Sequence, residues 1–501
     1  MIQNFLLSRR GLAFLCCLFA ATPFLSVSYP PITDLPQHSA QIRLFLDTVA
    51  SPEGSPYRIQ WLTPYSLSYL ILGASWAVFG PMDAGRLAML AIVLLWVIAI
   101  HGLASERNRA AASACIASVF VLNHVVNWGF YSFGVGFPVF CLWLALTAEE
   151  QWFQFRLGRA TVLLGVGLLL YTSHVLWLAV GVFWLTLSGL FLHRDPKGTV
   201  VALSCLAPLF VAVWFWYPMF AESSMATPPL WATGPLDRLT LSELADSALG
   251  GIKGPAELAV LGLIGAWIVG GLYQNRSHLR EAIDWRLLLG GVMFFFLAVF
   301  LPDKYMNTIR FGQRWMPPAW IMLVLALPAP TLRPILGHAM ALTVVGAFCT
   351  AVTFAWLSFE RTDMSGLKQS LQELPYSSRV MGLAFMRHSQ SVKGWPFIQA
   401  FAYAQVLKGG TLNFSFAEWS PCLVVHKVPF RRPWTGGLEW FPERVQLSDL
   451  DHFDFLLVCG PEEIHERWAK LPRLSPVTMT GRWRLYRVLQ QQGGPRSRSP
   501  G

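Results

Sequence analysis

The chain has 501 residues, 54% of them hydrophobic and 13% charged, against about 25% charged in ordinary soluble domains. Its charges are unevenly spread, at about 10% of residues 1–358 and about 21% of residues 359–501. This excludes a soluble enzyme, a disordered regulator or a DNA-binding domain, and the net charge of +10 is scattered over short loops and the tail with no basic stripe to meet nucleic acid.

The expected fold class is a polytopic α-helical membrane protein over 1–358, with a C-terminal soluble α/β domain over 359–490 and a disordered tail over 491–501. A spanning helix needs about 20 mostly apolar residues. Eleven stretches qualify: 11–27, 84–103, 111–127, 131–148, 160–172, 175–192, 198–219, 256–273, 286–301, 316–330 and 335–357. The first follows Arg9-Arg10 and passes small Ala20-Ala21, as a cleavable signal would; its apolar run continues through Pro23-Phe24-Leu25, which favours a retained anchor. Residues 161–192 are too long for one helix and divide at Tyr171-Thr172-Ser173-His174.

Residues 61–79 are also apolar enough to cross, and the positive-inside rule arbitrates. If they lie along the outer face, 12 of the 20 Lys and Arg residues before Phe359 fall on the cytoplasmic side; if they cross, the count inverts to 8. The non-crossing reading gives eleven spans, a cytoplasmic N-terminus and an exterior tail. The loop 28–83, the His174 turn, the loops 221–254 and 303–315 and the tail then share one face.

That first loop opens with Thr33-Asp34-Leu35-Pro36-Gln37-His38. Pro36 suits the first turn of a helix, and the polar and apolar residues up to Ala50 fit a helix lying on the membrane surface. Asp34 and His38, four apart, project from one side of its first turn. A carboxylate held there beside an imidazole can take a proton from an acceptor hydroxyl. The same residues also read as an N-cap and capping box, Asp34-x-x-Gln37.

Further along, Asn123, His124 and Asn127 bring polar groups to the exterior end of the third span, where they serve either a cavity or a neighbouring helix. His174 stands in its turn within reach of a phosphate or sugar hydroxyl, or as an interfacial helix-end residue. In the 221–254 loop, Trp231 offers a ring for stacking on a sugar and Glu222 a second polar contact, although interfacial Trp are chiefly anchors. Arg310 and Arg314, four apart with Lys304 nearby, stand at the mouth of a span. Guanidinium pairs grip phosphate oxygens bidentately, and they also snorkel to lipid headgroups.

In the tail, 380–385, 422–428, 453–460 and 483–489 read as strands and 462–471 as a helix. No Gly-rich phosphate loop follows a strand, which disfavours nucleotide binding. The eight cysteines show no CxxC or Cys/His metal spacing. Cys16, Cys17, Cys115, Cys141, Cys205 and Cys349 lie in apolar runs as small hydrophobes. Cys422 and Cys459 share the tail, where a disulfide requires an oxidising compartment.

An Asp just past the first membrane helix, a surface helix, an interfacial segment ending Phe79-Gly80, a span opening Gly85-Arg86-Leu87, and Asn307-Thr308-Ile309-Arg310-Phe311-Gly312-Gln313-Arg314-Trp315 before a late span follow one another in this order. The layout resembles the GT-C superfamily of integral-membrane glycosyltransferases. The resemblance implies transfer of a sugar from a polyprenyl-phosphate-linked donor to a glycan, lipid or protein acceptor on the exterior face of an inner membrane. It makes Asp34 the general base aided by His38, puts Arg310, Arg314 and His174 at the donor phosphate, and leaves Trp231 and Glu222 for substrate contacts. The cofactor is either none or a divalent cation, Mg2+ or Mn2+; many members carry adjacent acidic residues where this chain has a single Asp. The competing readings are a transporter or flippase of lipid-linked glycans and a non-catalytic membrane scaffold. The transporter is disfavoured because no charged residue falls near the middle of a proposed span.

Overall fold

The computed structural model describes residues 8–61, 63–224, 228–306 and 308–489, apart from the side chains of 222–224. The expected disordered tail over 491–501 lies outside the described residues. The chain forms two compact units. One takes residues up to Leu25, Pro64–Ser68 and Met89–Phe354; the other takes Ser26–Thr63, Tyr69–Ala88 and the chain from Ala355 on. Most of residues 28–83 therefore belongs to the same unit as the chain from Ala355 on.

Helices form at every one of the eleven apolar stretches. Among the described residues, five segments are long and apolar enough to cross a membrane: Ser66–Glu106, Ala111–Trp128, Val175–Leu192, Ala256–Gln274 and Pro334–Thr362. The number rises to seven if the bent pairs Pro196–Ser204 with Ala207–Ala221 and Arg276–Ala282 with Trp285–Phe300 count as one span each. Of the remaining stretches, 11–27 lies in the 18-residue helix Arg9–Ser26 and the other three make shorter helices. Met316–Ala326 has 11 residues and Leu157–Ser173 has 17, about 17 and 26 Å at 1.5 Å per residue. The division of 161–192 falls at His174, which is extended (φ −171°) between two helices.

The 41-residue helix Ser66–Glu106 is itself two arms. Gly80 has φ 78° and ψ 175°, with Pro81 next, a backbone state open to glycine and closed to most L side chains. The Ser75 hydroxyl donates to the Ala84 carbonyl at 2.9 Å, where nine residues of straight helix would separate them by about 13 Å. The arms fold back on one another at Gly80.

In the first unit the helices pack around large aromatics. Trp177 is fully buried against Phe133, Phe137, Phe140, Phe294 and Trp315, and a Cβ at Gly136 would overlap its ring. Helix ends in such surroundings have no water for their last carbonyls, and arginines supply the donors. Arg109 donates to the carbonyls of Leu325, Ala326 and Leu327, and Arg286 to Leu144 O and Thr147 Oγ1, both at 3.0 Å. Arg238 donates to Ala298, Val299 and Leu301 at 3.0, 3.1 and 2.5 Å.

The second unit holds a five-stranded sheet in the order Thr411–Leu412, Arg379–Ala384, Phe455–Cys459, Trp483–Val488, Leu474–Pro476. Pairing is parallel among the first three strands and antiparallel to the last two. The central strand Phe455–Cys459 is buried at every residue, as its continuous apolar run requires. The short strand Val424–His426 stays out of this sheet: it pairs antiparallel with Tyr57–Ile59 of the first loop, Tyr57 opposite His426. Cys422 and Cys459 are both buried free thiols.

Candidate functional site

Asp34 opens the helix Leu35–Ala50. Its carbonyl accepts the His38 N–H at 3.0 Å, but its carboxylate makes no capping hydrogen bond. The capping box read from Asp34-x-x-Gln37 is not formed, because Gln37 turns the other way. Its side-chain amide donates to Gln399 Oε1 at 3.0 Å and Phe414 O at 3.2 Å and accepts the Phe416 N–H at 3.2 Å. One turn on, Gln41 accepts the Val424 N–H at 2.8 Å. Both glutamines are fully buried, so the helix is fixed by neutral hydrogen bonds to a segment more than 360 residues away.

His38, on the same turn as Asp34, stands against Tyr69 and Phe416. Its Nδ1 lies 3.3 Å from the Tyr69 hydroxyl, and its ring meets Phe416 edge-on at 5.2 Å. Desolvation holds its pKa down to about 4, so the imidazole is neutral near pH 7 and a weak base. The Cys422 thiol, pushed up to about 12 by burial, lies beside Tyr69 and feels the charge of Asp34. The arm beginning at Pro81 reaches the same helix at Gly85, where a Cβ would collide with Ser39 and Leu35.

The arginine-bearing segment belongs to the first unit. A two-residue hairpin pairs Lys304–Tyr305 with Thr308–Ile309; Asn307 lies outside the described residues. Its base is pinned by Asp303, which pairs with Arg238 at 2.9 Å, accepts the Thr233 N–H at 3.0 Å and bonds the Gln313 side chain. Arg310 follows in the left-handed region, φ 52°, a conformation that non-glycine residues adopt at a cost and that clusters at functional sites. Its partly exposed guanidinium pairs with Asp246 at 3.0 Å.

Arg314 is 3% exposed, so it does not snorkel to headgroups. Its guanidinium lies over Phe130 (4.3 Å) and Phe133 (5.1 Å) and donates to the carbonyls of Ile309 (2.6 Å) and Arg310 (3.3 Å). Cation–π contact and charged hydrogen bonds compensate its burial. The buried His124 lies within electrostatic reach of Arg310, Asp246 and Arg314.

His174 is used locally: its Nδ1 accepts the Leu176 N–H at 3.2 Å, capping the helix Val175–Leu187, and its ring packs edge-on to Tyr65 and Phe133. Trp231 is 49% exposed and donates to Phe300 O at 3.2 Å. The Glu222 side chain lies outside the described residues. Asp34 and His38 thus belong to one unit, and Arg310, Arg314, His174 and Trp231 to the other. Sequence reading missed Tyr69, Gln37 as an anchor, Arg238, Asp246 and Asp303. Of these, Arg238, Asp246 and Asp303 are charged residues in their loops, but nothing in their spacing marks them.

An apolar groove of about 560 Å³ begins beside His174, lined by Val175, Leu178, Val182, Phe210, Trp214 and Tyr217 among others.

The helix content is that of a multi-pass membrane protein. No protein-family model and no curated protein matches the chain; the likeness is to solved structures. ArnT from Cupriavidus metallidurans in the apo state superposes with a TM-score of 0.50 at 12% identity, covering 94% of this chain and 97% of ArnT. The same protein bound to undecaprenyl phosphate gives 0.50 at 11% identity over the same shares. The arabinofuranosyltransferase AftD from Mycobacteria gives 0.47 at 14% identity, over 97% of this chain and 40% of AftD.

Proposed function

We propose that the protein is a membrane glycosyltransferase that takes a sugar from a polyprenyl-phosphate-linked donor and places it on an acceptor hydroxyl at the exterior face. The observation that carries this reading is the fold shared with ArnT over 94% of the chain, ArnT having been solved with undecaprenyl phosphate bound. In the proposed reaction the Asp34 carboxylate takes the acceptor proton and the acceptor oxygen attacks the anomeric carbon. The bond from that carbon to the phosphate oxygen breaks, and polyprenyl phosphate leaves with the electron pair. A phosphate leaves readily, so alignment, proton removal and stabilisation of the departing charge are the work required.

The residues divide that work unequally. Arg310, partly exposed and kept extended by Asp246, is the arm that meets the phosphate. Arg314, buried under its aromatic shelf, holds the Ile309–Arg310 backbone and adds positive potential. His38, neutral at pH 7, orients its neighbours and does not serve as the base. The groove beside His174 suits the prenyl chain, being lined by apolar side chains. An exterior Mg2+ or Mn2+ finds no cage of three side chains there among the described residues, so no step is routed through one. The proposed topology keeps eleven membrane segments, the N-terminus inside and the tail outside.

The test is transfer from radiolabelled polyprenyl-phosphate sugars in membranes holding equal amounts of wild type, Asp34→Asn and Arg310→Ala. A positioned general base is worth about 10²–10⁴ in rate, so Asp34→Asn should lose at least 100-fold in kcat. Arg310→Ala should raise the donor KM. Unchanged activity in Asp34→Asn removes it from the mechanism, and the absence of transfer with every donor in wild-type membranes defeats the enzyme reading.

A further inference from the structure

Three groups that sequence spacing keeps apart meet inside the first unit. Cys16 on the helix Arg9–Ser26, His101 near the end of Ser66–Glu106 and Cys115 on Ala111–Ala117 bring their ligand atoms within 4.8 Å of one another. Both cysteines are fully buried free thiols, and His101 is 9% exposed. The buried Nε2 of His101 has no hydrogen-bond partner, and the imidazole stands beside the Cys16 thiol. Among the described residues no other set of three His, Cys, Asp or Glu side chains converges in this way. Small hydrophobic packing accounts for the thiols, but it does not account for an imidazole aimed at them with its nitrogen unpaired.

We propose that Cys16, His101 and Cys115 form a structural site for Zn2+ with three protein ligands. Zinc–sulfur and zinc–nitrogen bonds of about 2.3 and 2.0 Å place tetrahedral ligand atoms about 3.5–3.8 Å apart, a spacing the three groups reach with small side-chain adjustments. Two thiolates and a neutral imidazole cancel the charge of the divalent ion, so the centre is neutral in an apolar bundle where net charge is costly. The Ser118 hydroxyl lies beside Cys16. Cys16 is seven residues past Arg9 and His101 six before Arg107, each about 10 Å from the basic end of its helix. The ion would staple three segments there, independently of the glycosyl-transfer reading.

The experiment measures zinc per chain in the full protein, purified in detergent under reducing conditions after growth with zinc. Wild type and Cys349→Ser, a buried thiol outside the group, should hold about one zinc, and Cys16→Ser/Cys115→Ser less than about a tenth of that. Zinc-free wild type after incubation with excess Zn2+, or zinc retained by the double variant, overturns the site. If the double variant fails to fold, wild type carries the test alone. Co2+ should give a thiolate-to-metal charge-transfer band. Its absence overturns the proposal, as does a Cys16–Cys115 disulfide in protein kept reduced throughout.

Discussion

The corner around Asp34 and the mouth around Arg310 are held by opposite means. Around Asp34 the scaffold is neutral: Gln37 and Gln41 bond backbone across the length of the chain, and the strand Tyr57–Ile59 zips onto Val424–His426. Around Arg310 the scaffold is ionic and local: Arg238, Asp303, Gln313 and Gly312 lock a hairpin within one stretch of helices and loops. A guanidinium buried near helix ends needs carbonyls and a counter-charge, which the hairpin supplies.

If the contrast holds, the largest effect comes from breaking the ionic scaffold. Arg238→Ala leaves three helix-end carbonyls and Asp303 without their cation, and should cost about 3–5 kcal/mol, read as a large drop in the thermal midpoint of the purified protein. Next is acid. His38 has its pKa depressed to about 4 from 6.5, so the unfolded chain takes the proton first as pH falls. Stability should then be lost between pH 6.5 and 4, by up to about 3 kcal/mol. His38→Phe should flatten that part of the midpoint-against-pH curve; an unchanged curve would assign the acid sensitivity elsewhere.

A neutral scaffold should fail more gently. Gln37→Leu removes three hydrogen bonds and leaves buried backbone groups at 414 and 416 unpaired, for about 2–3 kcal/mol, with faster amide exchange at Phe416 than in wild type. Least of all, Arg43→Ala deletes an exposed pair with Asp47 and should move the midpoint by no more than about 0.5 kcal/mol allows. A larger shift would mean that Arg43 serves the corner through more than its charge.

Much of this was legible in advance because it is local. Apolar runs became helices, 453–460 contained the central strand, and the break at His174 fell where a polar tetrapeptide interrupts hydrophobic sequence. The bend within 196–221, where two helices meet at 58°, left no mark in a hydropathy reading that took 198–219 as one stretch. The arginines at 109 and 286, read as cytoplasmic markers, also cap helices. Composition reports the presence of a charge, and only packing decides what it bonds.

The amino-acid order alone determined a membrane protein, a helix beginning after Asp34 and an arginine pair before a late helix, since each follows from local polarity and periodicity. The tertiary structure decided which partners those residues have. It turned Gln37 from a cap into a long-range anchor, buried Arg314 while leaving Arg310 partly exposed, and gathered Cys16, His101 and Cys115. Such pairings depend on the path of the backbone between distant segments, and residue spacing carries no record of that path.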